Sequence, residues 1–155
     1  MPDAYVVPPG SGQVLDLGNF EAVVLAEAAQ TDGAFSLLRT QQEPPGFGPP
    51  LHKHHDAAEA FYVLEGEYLM ILEDRREACP AGSFVYVPRA VPHTFQVTST
   101  SPGMKLNLFS PAGMVGFFQE LAQADADGTA TPEHLDEIAA RHHMEIVGPV
   151  PDSYL

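Results

Sequence analysis

Three histidines and one glutamate stand at spacings that would let them share a metal ion. The chain reads Gly46-Phe47-Gly48-Pro49-Pro50-Leu51-His52-Lys53-His54-His55, reaches Glu59 five residues after His54, and sets His93 in the run Gly82-x5-Pro88-x4-His93. Successive side chains of a strand point to opposite faces, so His52 and His54 project to one side while Lys53 and His55 face away. Glu59 begins the next strand, and the intervening turn can bring its carboxylate back beside them. His93 has to arrive by long-range pairing. Imidazole nitrogens suit iron, nickel, copper and zinc, and a carboxylate adds a hard anionic ligand. One divalent transition metal ion per chain is therefore the expected cofactor (Fe, Ni, Mn, Co, Cu or Zn), with positions left open for water, dioxygen or a chelating substrate.

The elements that must position these groups are short. Residues 1–13 hold three prolines and two glycines and read as an irregular arm. Short strands are expected at 14–17, 21–26 and 34–40, followed by a proline-rich turn over 43–50 that no helix or central strand tolerates. Residues 59–64 and 67–72 flank Gly66 and predict a hairpin turning at Glu65-Gly66. A charged reversal over 73–76, then strands at 77–79, 83–87, 94–97 and 105–109, complete an all-β pattern over 14–110. After Pro111 the pattern turns helical through residue 155. A helix over 114–124 buries Phe117, Phe118 and Leu121; Thr131 caps a second, with Pro132 at its first position and Leu135, Ile138, Ala139 and His142 at helical spacing. Both helices should pack on the β core and close one edge or mouth.

Composition narrows the partners. At 155 residues, 45% of them apolar, the chain is expected to form one domain. A net charge of −14 argues against nucleic acid or an anionic membrane as partner. The one cysteine, Cys79, permits no intrachain disulfide and reads as a small turn or core residue, which makes the cytoplasm the simplest compartment. No membrane span or secretory leader is expected.

The motifs resemble those of the cupin superfamily. Its first motif, Gly-x5-His-x-His-x3–4-Glu-x6-Gly, is met at every spacing by Gly46, His52, His54, Glu59 and Gly66. Its second, Gly-x5-Pro-x-Gly-x2-His-x3-Asn, is met by Gly82, Pro88 and His93, with Ala90 in place of the glycine and Val97 in place of the asparagine. Ser83 stands where an aspartate often follows the first glycine. The resemblance implies a double-stranded β-helix, or jelly roll, with a metal inside held by His52, His54, Glu59 and His93. The helical tail is similar to that of small single-domain cupins resembling bacterial quercetin dioxygenases. Dimers are common in such a family, so a homodimer is an expectation too.

The pocket wall follows from strand parity. If Glu59 points inward, Phe61 and Val63 do too; if His93 does, Phe95 and Val97 follow. Over 105–109, either Leu106 and Leu108 or Lys105, Asn107 and Phe109 face in, and Asn107 is carried as the polar candidate. No arginine or lysine is assigned inward, which counts against a sugar phosphate and favours a small hydrophobic or aromatic substrate. The leading reading is a metal-dependent, dioxygenase-like enzyme acting on an aromatic or enolisable molecule, with Glu59 as ligand or general base. The alternatives are a non-oxidative cyclase, isomerase or dehydratase, or a binding module without turnover. His55, His134, His142 and His143 are read as surface or capping residues.

Overall fold

The computed structural model describes residues 2–151. From the N-terminus these form β1 (Gln13–Asp16), β2 (Glu21–Ala26), a single-turn α1 (Ala28–Thr31), β3 (Ser36–Glu43), β4 (His52–His54), β5 (Ala58–Glu65), β6 (Glu67–Leu72), β7 (Arg75–Pro80), β8 (Phe84–Val87), β9 (His93–Val97) and β10 (Gly103–Ser110). Then come α2 (Val115–Asp127), α3 (Pro132–Arg141) and β11 (Met144–Ile146). The strands make two antiparallel sheets of the jelly-roll type, ordered β1-β2-β3-β10-β5-β8 and β11-β4-β9-β6-β7. The strands β5 and β10 each turn one face to the core, whereas β9 is buried on both faces. β5 buries Glu59, Phe61 and Val63, and β10 buries Lys105, Asn107 and Phe109, the period-2 alternation that a one-sided core demands.

The hairpin expected around Gly66 does not form. β5 pairs with β10 and β8 in the first sheet, whereas β6 pairs with β9 and β7 in the second. Gly66 is instead the corner where the chain leaves one sheet for the other. Its φ of +78° favours glycine, and a Cβ there would lie 2.8 Å from Ser99 Oγ. The tight hairpin falls one strand later, between Leu72 and Arg75, where Glu73 takes a positive φ of 56°.

The tail holds two departures from expectation. α2 runs on to Asp127 and ends at Gly128, whose left-handed φ of 70° closes the last turn. β11 then pairs with β4, Met144 opposite His54 and Ile146 opposite His52. α3 begins as its sequence predicts, with the Thr131 side chain accepting from the His134 N–H at 3.2 Å and Pro132 following. One core cluster joins the helices to the first sheet through Leu15, Leu38, Phe109, Phe117, Ile138 and Met144. A second fills the space between the sheets with Phe61, Val63, Tyr68, Met70, Phe95 and Val97. Among the described residues no helix is long and apolar enough to cross a membrane.

Candidate metal centre

The four residues singled out by spacing meet in space. β4 presents His52 and His54 on its buried face, and His52 stands directly opposite His93 on the neighbouring β9. Glu59 comes from the other sheet, so the cluster bridges the two. Ring centroids are 4.5 Å apart for His52 and His93, 5.0 Å for His52 and His54, and 5.4 Å for His54 and His93. Glu59 Oε1 lies 2.8 Å from His93 Nε2 and 3.2 Å from His54 Nε2. One donor atom from each of the four lies within 4.8 Å of the others. An ion bonded at roughly 2.0–2.2 Å could touch all of them after small side-chain adjustments.

Protonation suits the same purpose. His52 Nδ1 donates to the Pro50 carbonyl at 2.8 Å and His93 Nδ1 to the Val91 carbonyl at 2.9 Å. A carbonyl can only accept, so each Nδ1 carries a proton, and Nε2 is the nitrogen each ring turns to the cluster. Burial, reinforced by His93 and His54, pushes the His52 pKa down to about 3, so this imidazole stays neutral. Burial alone would raise the Glu59 pKa, but hydrogen bonds with His54 and His93 outweigh it and hold the carboxyl below its ordinary range. With an ion in place of the protons shared between Glu59 and the Nε2 atoms of His54 and His93, three imidazoles and a carboxylate are a donor set that fits a divalent transition metal.

A cavity of about 350 Å³ opens against this cluster. His52, His54 and Glu59 contribute to its wall; His93 does not and meets it through Glu59. Phe61, Phe95 and Asn107 line it as parity suggested, joined by Phe47, Phe109 and, from α2, Phe118. Val63 and Val97 are buried but pack in the core between the sheets, away from the cavity wall. Other side chains keep to the periphery. His55 is exposed, 3.8 Å from Glu145; His142 contacts Glu120 at 2.7 Å and His143 contacts Asp56 at 3.5 Å. Cys79 is buried, and burial with Glu77 nearby raises its pKa.

A polar group in the same wall departs from the expectation that no lysine faces inward. On β10 it is Lys105, Asn107 and Phe109 that face in, so a lysine does enter the cavity. Its Nζ bonds Glu43 Oε1 and Thr40 Oγ1, each at 2.9 Å, and lies 4.0 Å from the centre of the Phe95 ring. Glu43 Oε1 also accepts from Tyr68 Oη at 2.6 Å and from Thr40 Oγ1 at 2.9 Å. The sequence pattern places Glu43 at the start of the proline-rich turn, yet it ends β3. Parity hid it, because Gln42 adopts a left-handed φ of 58° that turns Glu43, rather than Gln42, inward after Thr40.

Residues 39–109 match the family model described as "Cupin domain". Over 95 residues, 61% of this chain, the sequence is 27% identical to quercetin 2,3-dioxygenase of Bacillus subtilis (strain 168), and the match spans 28% of that protein. It is 34% identical over 59 residues, 38% of this chain, to an uncharacterized protein of Methanocaldococcus jannaschii, spanning 47% of it. Among solved structures, the polyketide cyclase RemF of Streptomyces resistomycificus superposes with a TM-score of 0.60 at 21% identity, over 70% of this chain and 80% of its own. The nucleoside dehydratase Pac13 superposes with a TM-score of 0.61 at 12% identity, over 97% of both chains. At these identities the likeness to the solved structures is one of fold.

Proposed function

We propose, on the premise that residues 39–109 of this chain form a cupin domain, that it is a metal-dependent enzyme of dioxygenase type. Its substrate is a small aromatic or enolisable molecule bound through an oxygen at the cluster of His52, His54, Glu59 and His93. The observation that carries this reading is the juxtaposition of an aromatic-lined cavity and a dense His/Glu cluster in one wall. The partial similarity to a quercetin dioxygenase supports it. When bound, a divalent transition metal supplies Lewis acidity toward a substrate oxygen and, if redox-competent, electrons to dioxygen. The residues of the chain supply the rest. Phe47, Phe61 and Phe95 hold a planar body and exclude water. Glu59 would serve as a ligand of that ion or, once freed from the hydrogen bonds to His54 and His93 that weaken it as a base, take a proton from the substrate hydroxyl or enol carbon. The net charge of −14 fits a small-molecule partner better than nucleic acid.

The test begins with elemental analysis of protein purified without an affinity tag. It continues with oxygen uptake on flavonols, catechols and β-diketones. Uptake should require a redox-competent metal, vanish on chelation, and fall about 10²–10⁴-fold in Glu59→Gln; His93→Ala should lose metal. Silence across every metal and substrate defeats the oxidative reading. The likeness in fold to a polyketide cyclase and a nucleoside dehydratase supports one second reading, a non-oxidative cyclase, isomerase or dehydratase in which the ion acts only as a Lewis acid. Turnover under argon with zinc alone would select it.

A further inference from the structure

We infer that Glu43 forms a second polar subsite in the cavity, recognising a neutral hydroxyl on the substrate remote from the end held at the His/Glu cluster. That the cluster holds the other end of the substrate rests on the function proposed above; the subsite itself does not. Four buried side-chain atoms have no hydrogen-bond partner among the described residues: Ser36 Oγ, Glu43 Oε2, His54 Nδ1 and Gln96 Oε1. Of these residues only Glu43 and His54 line the large cavity, and His54 belongs to the cluster already described. Glu43 is 1% exposed, and its other oxygen is saturated by Lys105, Thr40 and Tyr68. Oε2 is thus buried without a donor in a residue that lines the cavity, and a small shift of the side chain would present it to a ligand, in surroundings where an unmet polar atom is costly.

The surroundings define that donor. Lys105 Nζ lies 2.9 Å from Oε1 and already balances the carboxylate, so an ammonium ligand would meet a like charge. An anion would meet the carboxylate. A neutral hydroxyl meets neither. Phe61, Phe95 and Tyr68 surround the ammonium at 5.5, 4.0 and 5.4 Å from their ring centres, which makes the approach aromatic. Along β10, Phe109 opposite Glu59 and Lys105 opposite Thr40 are four residues apart, roughly 13 Å between Cα atoms. The side chains converge from these positions, since Lys105 still feels the Glu59 charge, so a hydroxylated aromatic of one or two rings suits the space between them.

The experiment uses the full chain and two fluorescent probes, 2-naphthol, which can donate a hydrogen bond, and 2-methoxynaphthalene, which cannot. Binding is titrated with the protein as purified and again after chelator treatment. We expect 2-naphthol to bind at least about tenfold more tightly, to keep that preference after chelation, and to lose it to within twofold in Glu43→Gln. That variant keeps an oxygen for Tyr68 and Thr40 but replaces the free acceptor by a donor. If it fails to fold, the same comparison is made on Glu43→Gln combined with Lys105→Met, which removes the buried charge pair entirely. Absence of 2-naphthol binding, equal affinities, a preference that disappears with the metal, or one unchanged in the glutamine variants overturns the subsite. Neither metal identity nor oxygen uptake enters this readout, so the subsite and the oxidative reading can fail separately.

Discussion

Ala90 sits in the left-handed region, with φ of 66°, in the turn that delivers His93. The sequence shows an alanine where the family motif has glycine, and the backbone shows why glycine is favoured there. The Ala90 N–H donates to the His54 carbonyl at 2.8 Å, so this turn is tied to the strand carrying two members of the cluster. An L-residue in that conformation costs about 1–2 kcal/mol, and glycine would return about 0.5–1 kcal/mol of backbone entropy. Ala90→Gly should raise Tm by about 1–4 °C with the cluster intact; an unchanged or lower melting temperature would contradict this. At this scale the site was half legible. His52, His54 and Glu59 could be read because their short spacings suit one shared ion, and His93 because it stands in the second cupin motif with Gly82 and Pro88. Glu43 could not, since one positive φ at Gln42 reverses its facing and nothing in residue type announces it.

Among the elements, β4 is only three residues long and shares a single register pair, His52 with His93, with β9. Its other side is held by the tail. Besides β11, the His55 N–H donates to the His143 carbonyl at 2.8 Å, the Leu51 N–H to Pro149 at 3.0 Å, and the Val147 N–H to Leu51 at 2.8 Å. β11 follows α3, whose Ile138 is 1% exposed in the cluster that also holds Met144. Ile138→Ala should cost about 2–5 kcal/mol. It should also speed amide hydrogen exchange at residues 52–55 more than at 59–63. Equal protection in both stretches would show that the tail does not steady β4. The sequence predicted the helices, because Thr131, Pro132 and the apolar spacing are local signals. It did not predict β11, three residues without periodicity, nor the change of sheet at Gly66, since both sheets accept the same alternating strand.

For the molecule as a whole, 21 acidic residues against 7 basic ones leave a charge of −14. The pairs on its surface, such as Lys53 with Glu145 at 3.2 Å, neutralise little of it. Repulsion of this kind acts over about 10 Å at 0.1 M salt and opposes compaction. Raising sodium chloride from about 10 mM to 300 mM should therefore increase Tm by several degrees, whether or not metal is bound. A decrease would mean that specific ion pairs, rather than net charge, dominate the electrostatic part of stability.

The pairing of β4 with β11 also sets an order in time. During synthesis His52, His54, Glu59 and His93 all emerge before Ile146, the last residue of the strand that flanks the two β4 histidines. At about 5–20 residues per second the interval from His93 to Ile146 lasts roughly 3–10 s. Through that interval the four side chains exist without β11 beside β4, so the cluster reaches its final packing only once residues 144–146 have paired.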